Sequence, residues 1–291
     1  MTPRFFKIFI AVAEEKTMHG AARRLYISQP SVSQAISDFE KEHGVKLFER
    51  LSQRLYITDA GKELLNYAYR IISLYDETEQ MLQRKGKLSR LKIGASVSVG
   101  TCLIYDLLEK LKTSNPEIEI SMVVNNTSHI ENLIMESKID VGVVEGVVNE
   151  KELICKKICE DELIIVASPS HHLLREKVCT VDALRNEIFI AREKGSNDRN
   201  QFEKFLHSQN IELHKGWESS NTETIKNAVI KGYGMAILSR MVVQKELDSG
   251  VLAQVPIKDV CIKRNIKFIC HKDKFITKEL SAFAKACEVD L

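Results

Sequence analysis

The chain has 291 residues, of which 44% are hydrophobic and 28% are charged, and its net charge at pH 7 is +2. This composition is typical of a soluble globular protein with two or three compact units. No apolar run approaches the roughly 18 residues of a membrane helix, and the N-terminal segment lacks the pattern of a signal peptide. The seven cysteines are scattered, so we expect reduced thiols and a cytoplasmic protein that does not contact a membrane.

The N-terminal sequence predicts three helices, the second and third separated by a tight turn at residues 26–27. Thr17 and Ser28 are suited to cap these two helices, because their side-chain oxygens can accept hydrogen bonds from free backbone N–H groups. Apolar residues recur at spacings of three and four along residues 29–43, so one face of this helix is buried. The opposite face carries short hydrogen-bonding groups that suit base edges in the DNA major groove. We interpret the pair as a helix-turn-helix whose recognition helix lies near residues 29–43.

Two short strands are predicted at residues 46–50 and 54–57. They form a wing, on which Arg50 and Arg54 are placed to contact phosphates or the minor groove. Residues 1–58 contain nine Lys and Arg against six Asp and Glu. This local basic excess suits a segment that binds the phosphate backbone.

The predicted DNA contacts fall into two groups. We expect Gln29, Ser31 and Gln34 to read base edges, since a glutamine amide can pair with adenine through two hydrogen bonds. Ser33 and the two wing arginines are expected to hold the register on phosphates. The full predicted DNA-binding set is Arg23, Gln29, Pro30, Ser31, Ser33, Gln34, Arg50 and Arg54.

A long helix is predicted next, capped by Thr58 and running to about residue 85, with Gly86 as its stop. At 1.5 Å per residue it would be roughly 40 Å long. Small and apolar residues repeat along it in alternating steps of three and four, and such a heptad seam requires a partner helix. A second copy of the chain is the simplest partner, and a dimer also suits paired DNA half-sites. The seam consists of Gly61, Leu64, Ala68, Ile71, Tyr75, Thr78 and Leu82.

Residues 1–61 closely resemble the N-terminal winged helix-turn-helix of LysR-type transcriptional regulators. The resemblance is carried by the runs FxxFxxVAEEKT, AARRLYISQPSVSQAI, FEKEHGVKLFER and LYITDAG, which follow one another in this order. It continues through the phrases GASVSVG, IDVGVVEG, REKGSN and IKGYGMAILSR. The resemblance implies a sequence-specific DNA-binding regulator, either an activator or a repressor, that is a homodimer or homotetramer and not an enzyme.

The resemblance also implies an architecture. A mainly α N-terminal winged helix-turn-helix and a long linker helix are followed by an α/β two-lobed effector domain that is similar to periplasmic binding proteins. The expected boundaries are 1–58 for the DNA-binding domain, 59–88 for the dimerisation linker helix and 89–291 for the effector domain, with lobe one at 89–161 and 263–291 and lobe two at 162–262.

From Leu91 onward, strands alternate with helices, which predicts mainly parallel sheets with helices on both faces. Open α/β sheets bind ligands at the carboxyl ends of their strands, where helix N-termini also point. The loops at these ends are rich in hydroxyl and amide groups, and Arg192 can supply a counter-charge. They suit a small anion, so we expect no cofactor but a small-molecule effector, anionic in character, between the lobes. The predicted effector-binding residues are Ser96, Ser98, Thr101, Asn126, Thr127, Ser196 and Asn221. Of these, Ser98 and Thr127 match positions at which the resembled family contacts effectors.

Other kinds of site are not predicted. The chain has neither a nucleophile elbow nor a phosphate-binding loop, so we expect no catalytic residues. The pairs His171-His172 and Cys270-His271 lack the second half of a zinc site, and adjacent side chains on a strand point to opposite faces. We therefore expect no metal site.

Two alternatives remain open. Cys155 and Cys159 are flanked by Lys156 and Lys157, which can lower thiol pKa values, so a thiol-based redox regulator on the same scaffold is a second hypothesis. A solute-binding or catalytic protein is a third hypothesis, and the absent export signal and catalytic set argue against it.

Overall fold

A computed structural model describes residues 2–51, 54–83, 89–148, 151–212, 214–258 and 260–291. The side chains of residues 50, 51, 54, 77, 80, 81 and 83 lie outside this description. The chain forms two compact units, the first comprising Met1–Lys87 with Met135–Lys138 and the second comprising Leu88–Ile134 with Ile139–Leu291.

The first unit contains the helices and the wing that the sequence predicts. Thr17 accepts a hydrogen bond from the N–H of Gly20 at 3.0 Å, and Ser28 accepts one from Ser31 at 3.3 Å. These bonds confirm both predicted caps. The elements are α1 (Pro3–Glu15), α2 (Met18–Leu25), α3 (Gln29–His43), β1 (Phe48–Leu51), β2 (Arg54–Ile57) and α4 (Asp59–Gln83).

Aromatic packing connects α1 to the rest of this unit. The ring of Phe5 stacks on Phe39 of α3 with centroids 4.2 Å apart, and Phe9 packs against Phe48 of β1 at 5.5 Å. All four rings are buried, and such pairs contribute about 0.5–1.5 kcal/mol beyond the area they bury. The recognition helix and the wing are therefore held on one rigid aromatic core.

The two halves of α4 differ in exposure. Gly61 and Ala68 are buried in the first unit, and a Cβ added to Gly61 would lie 2.4 Å from the carbonyl oxygen of Leu47. Farther along, Ile71 and Leu74 are 41% and 56% exposed. The early seam positions thus pack within their own chain, whereas the later ones leave an apolar face uncovered. The predicted stop at Gly86 lies outside the described residues.

The second unit alternates strands and helices, with two single 3-10 turns. Its elements are β3 (Arg90–Ala95), α5 (Val97–Cys102), α6 (Ile104–Ser114), β4 (Glu119–Val124), α7 (Thr127–Met135), β5 (Val141–Glu145), β6 (Leu153–Ala167), the 3-10 turns His172–Arg175 and Val181–Leu184, β7 (Phe189–Arg192), α8 (Asn197–Ser208), β8 (Lys215–Ser219), α9 (Thr222–Ile230), β9 (Ala236–Ser239), α10 (Arg240–Asp248), β10 (Ala253–Gln254), β11 (Ile262–His271) and α11 (Lys278–Ala286).

Two long strands, β6 and β11, connect the two lobes of this unit. Strand β3 lies between β4 and β5, parallel to both, and β7 is parallel to β8. In contrast, β6 and β11 are antiparallel to each other and to the other strands they meet, namely β5, β9 and β10. The prediction of mainly parallel sheets is therefore wrong for the crossover region, because these two strands run between the lobes in opposite directions.

Three further predictions need correction. The sequence predicts a strand over residues 162–167, but β6 already begins at Leu153, since the exposed Lys156, Lys157 and Glu160 in its first half hide the strand pattern. The sequence also predicts one helix over residues 100–113, which the structure divides at Leu103 into α5 and α6. Helix α10, which follows β9 without a loop, was not predicted. Within the described residues, none of the helices combines the length and the apolar content needed to cross a membrane.

Candidate functional site

Helix α3 presents a polar face to solvent. Val32 and Ile36 point into the core, which leaves Gln29, Ser31 and Gln34 exposed. The exposed groups are linked along the helix. The Gln29 amide donates to the Ser33 hydroxyl at 2.7 Å, and the Gln34 amide donates to Asp38 Oδ1 at 2.6 Å. These bonds hold the side chains in defined orientations but leave acceptors and further donors free for another molecule.

The remaining predicted DNA-binding residues lie around this helix. Arg23 in the last turn of α2 and Pro30 in the first turn of α3 are both exposed. The side chains of Arg50 and Arg54 lie outside the described part of the chain, although their backbones belong to the paired strands β1 and β2. The turn before α3 is tight because Tyr26 has a positive φ of 55°.

Glu40 fixes the recognition helix to the wing. Its carboxylate is buried and accepts the backbone N–H groups of Leu47 at 2.8 Å and Phe48 at 3.3 Å. Lys46 Nζ donates to the other oxygen at 2.7 Å. Burial alone would raise the pKa of Glu40, but these hydrogen bonds and the lysine charge outweigh burial and lower it. The sequence analysis did not identify this residue, because nothing local distinguishes it from the exposed Glu42.

In the second unit, three of the predicted effector-binding hydroxyls converge. Ser98 accepts a hydrogen bond from Arg264 Nη2 at 3.3 Å. Ser96 donates to Glu145, and the hydroxyl of Thr127 donates to the carbonyl oxygen of Glu145 at 3.3 Å. All three hydroxyl residues are buried. They therefore belong to one polar cluster at the carboxyl ends of β3, β4 and β5.

Arg264 is the centre of this cluster and was missed by the sequence analysis. Its Nε and Nη2 donate to Asp161 Oδ2 at 2.8 and 2.7 Å, and its Nη1 contacts Asp198. Asp161 lies opposite Arg264 in the β6–β11 pair, whereas Asp198 belongs to α8 of the other lobe. One guanidinium thus ties both lobes to the crossover strands. The sequence signal was weak, because the same strand also carries the exposed Lys263 and Asn265 and the half-buried Lys267.

The cluster contains more carboxylates than its cations neutralise. Burial raises the pKa of Glu145, the charge of Arg264 lowers it, and the charge of Asp198 raises it, so that the balance lies above the ordinary glutamate range. Burial lowers the pKa of the Arg264 guanidinium, but the charges of Asp198, Glu145 and Asp161 outweigh burial and raise it. Arg192, the predicted counter-charge, is held by Glu193 at 2.9 Å and lies 3.8 Å from Asp198.

The other predicted effector residues occupy the rim or helix caps. The sequence suggests Thr127 or Ser128 as the cap of α7, but the side chain of Asn126 caps this helix, and its amide donates to Glu193 at 3.4 Å. The hydroxyl of Thr101 donates back to its own helix, and Asn221 caps α9 from an exposed position. Ser196 is buried at the start of α8.

Three buried polar atoms at the cleft edge of lobe two have no hydrogen-bond partner among the described residues: Asp161 Oδ1, Thr222 Oγ1 and Ser239 Oγ. Thr222 follows the carboxyl end of β8, and Ser239 is the last residue of β9. Asp161 reaches the same edge, because Leu163 pairs with Ser239 across β6 and β9. Unpaired buried groups cost about 1–3 kcal/mol each, so this edge favours a molecule that can supply the missing hydrogen bonds.

The thiol hypothesis is not favoured. Burial and the charge of Asp161 raise the pKa of Cys159, and Lys157 offsets this only in part. Cys155 and Cys159 lie four residues apart on β6, so at about 3.3 Å per residue their Cα atoms are about 13 Å apart. A disulfide needs Cα atoms within about 7 Å. The two cysteines cannot form a disulfide with each other while β6 stays intact.

Comparisons with known proteins identify the family of the chain. Two family models match the chain, namely "Bacterial regulatory helix-turn-helix protein, lysR family" over residues 3–62 and "LysR substrate binding domain" over residues 84–289. The HTH-type transcriptional regulator CysL of Bacillus subtilis is 33% identical over 268 residues, covering 90% of this chain and 89% of CysL. Among solved structures, the regulatory domain of Synechocystis CcmR in complex with 2-PG has a TM-score of 0.64 at 25% identity, covering 68% of this chain and 95% of that domain. Full-length CbnR in complex with its target DNA has a TM-score of 0.61 at 22% identity, covering 99% of both chains.

Proposed function

The chain belongs to the LysR family of DNA-binding bacterial transcriptional regulators, and we propose that its effector is a small metabolite carrying both an anionic group and hydrogen-bond donors. The observation that carries this proposal is the arrangement around Arg264. A buried guanidinium is shared by carboxylates of both lobes, next to a lobe edge whose polar atoms lack partners among the described residues.

The anionic group has suitable partners in this cleft. The N-termini of α5, α7 and α8 meet near Arg264, and helix N-termini attract negative charge. Asp198 supplies a negative charge to Arg264. An effector carboxylate or phosphate can take the place of Asp198, which retains Arg192 as a neighbour 3.8 Å away. The CcmR regulatory domain binds 2-PG, and this supports an anionic effector for a related domain.

Hydrogen-bond donors on the effector would interact favourably with the excess of carboxylates in the cleft. The guanidinium groups of Arg192 and Arg264 are surrounded by four carboxylates, those of Glu145, Asp161, Glu193 and Asp198. A purely anionic ligand would therefore increase the excess of negative charge in this region. Hydroxyl or ammonium groups would donate to Asp161 Oδ1 and to the acceptor positions of Thr222 and Ser239. Charge-assisted hydrogen bonds of this kind are about twice as strong as neutral ones. Small hydroxy acids and amino acids have both features.

The DNA-binding unit is proposed to read its operator through α3. Gln29, Ser31 and Gln34 would contact base edges, and the remaining predicted residues would contact phosphates. The effector changes DNA binding only if it binds one arrangement of the lobes more tightly than another. A ligand that replaces Asp198 at Arg264 meets this condition, because Arg264 and Asp198 belong to elements of different lobes.

The proposal is tested by thermal denaturation of the purified chain with panels of hydroxy acids, amino acids, phosphorylated acids and inorganic sulfate. A ligand at 100 times its Kd should stabilise the protein by about 2.7 kcal/mol. Ser98→Ala should weaken binding of the best ligand at least tenfold. Thr113→Ala is the matched control, because this exposed hydroxyl bonds only to the backbone of its own helix. Unchanged binding by S98A would place the effector elsewhere, and equal binding of sulfate would contradict the donor requirement.

A further inference from the structure

Three side chains able to bind a metal meet in the second unit outside the effector cleft: His171, His172 and Glu187. One ligand atom from each lies within 4.8 Å of the other two. His171 Nε2 is 3.4 Å from Glu187 Oε2, and His172 Nε2 is 3.0 Å from Glu187 Oε1. The sequence argument against these histidines assumed a strand, on which adjacent side chains diverge. They instead lie at the start of a 3-10 turn, and their ring centroids are 4.6 Å apart.

The cluster lies at the edge of lobe two that is opposite the effector cleft. His171 and His172 follow the C-terminal end of β6, and Glu187 precedes the N-terminal end of β7. Arg192, which faces the cleft, is at the other end of β7, and Asp161 lies near the middle of β6. The cluster is therefore separated from the effector cleft by the C-terminal half of β6 and by the length of β7.

We propose that His171, His172 and Glu187 bind a divalent transition metal ion of the Zn²⁺, Ni²⁺ or Co²⁺ class. Two imidazole nitrogens and one carboxylate oxygen are a ligand set that such ions prefer. Ligands about 2.1 Å from a tetrahedral ion lie about 3.4 Å from one another, and the two measured separations are close to this value. Water would complete the coordination.

His171 would change its tautomer on metal binding. The backbone N–H of Leu173 donates to His171 Nδ1 at 3.4 Å, so the proton of the neutral ring is on Nε2, next to Glu187. Coordination through Nε2 moves this proton to Nδ1, and the long contact with Leu173 is given up. The Glu187 side chain is largely buried and contacts the Nε2 atoms of both rings. Its carboxylate would then contact the metal ion.

Metal binding would clamp two loops of lobe two together. The loop after β6 and the loop before β7 would gain a metal-mediated link at the point where the two histidines now contact Glu187. A ligand that binds only the folded state raises stability by mass action. We therefore expect the metal to stabilise the second unit without occupying the effector cleft.

The experiment uses the untagged full chain, stripped with a chelator and then titrated calorimetrically with Zn²⁺ and, in parallel, with Co²⁺ followed by absorption. The expected result is one ion per chain with a raised Tm, and at least tenfold weaker binding in His172→Ala and Glu187→Gln. His172 is mostly exposed, so H172A should fold normally. His207→Ala is the matched control, because His207 is an exposed histidine on α8 and should leave binding unchanged.

Three outcomes would overturn the proposal. The first is the absence of stoichiometric binding in the unmodified chain. The second is equal affinity in H172A, E187Q and the unmodified chain. The third is a Co²⁺ spectrum dominated by thiolate charge transfer, which would assign the metal to cysteines such as the exposed Cys261.

Discussion

At the scale of single residues, the polar face of α3 carries atoms that fix the orientation of its side chains and other atoms that remain available to DNA. Gln34 is exposed, and one proton of its amide is used by Asp38, which leaves the second proton and the carbonyl oxygen free. This is the donor and acceptor pair that adenine requires in the major groove. The orientation of the side chain is thus set before DNA arrives, which reduces the entropy lost on binding.

Replacing Gln34 with Ala should cost about 1–3 kcal/mol on the selected operator and much less on random DNA. Gel-shift titration on both DNAs at one salt concentration measures the two losses. Gln244→Ala is the matched control, because Gln244 makes the same bond to an aspartate four residues later, but on α10. Equal losses on operator and random DNA would show that Gln34 contributes no base readout.

At the scale of elements, the position of the wing depends on one buried carboxylate. Glu40 accepts two backbone N–H groups from the segment that enters β1. Among the described residues, Glu40 is the group that accepts hydrogen bonds from both of these N–H groups, so this one side chain connects α3 to the wing. Aromatic packing against α1 provides the rest of the support.

Glu40→Gln should lower the free energy of unfolding by about 1–3 kcal/mol, because the charged acceptor is lost. The folded-state pKa of Glu40 is lowered, so its contribution is present above the unfolded-state pKa and is lost as pH falls through the folded-state pKa. Urea denaturation at neutral and acidic pH should therefore show a difference between E40Q and the unmodified chain that shrinks in acid. Glu42→Gln, on the exposed side of α3, should change little; a pH-independent difference for E40Q would contradict this account.

At the scale of the whole molecule, we propose that the exposed apolar side chains along α4 form the contact between subunits. Tyr67, Ile71, Leu74 and Tyr75 are between 41% and 56% exposed, which is costly for a helix that remains in water. A partner helix would remove this area from solvent at about 25 cal/mol per Å².

Leu74→Glu should therefore shift the protein from dimer or tetramer toward monomer, since it would bury a charge in the helix pair. Sedimentation velocity over a concentration series measures this shift. Asn66→Glu, which adds the same charge at an exposed α4 position, should keep the native mass. Retention of the dimer by L74E would exclude this face as the subunit contact.

Local patterns in the sequence were sufficient to predict the helix-turn-helix, its caps and the α/β alternation. Capping by Thr17 and Ser28, the three-and-four spacing in α3 and the wing depend on residues close in sequence. The cluster at Arg264 is different, because its partners are 66, 103, 119 and 166 positions away in the chain. The meeting of His171 and His172 with Glu187 depends on a turn and on two strand ends. Tertiary structure alone decided these contacts, since side-chain chemistry predicts which groups can pair but only the folded backbone brings distant groups within bonding distance.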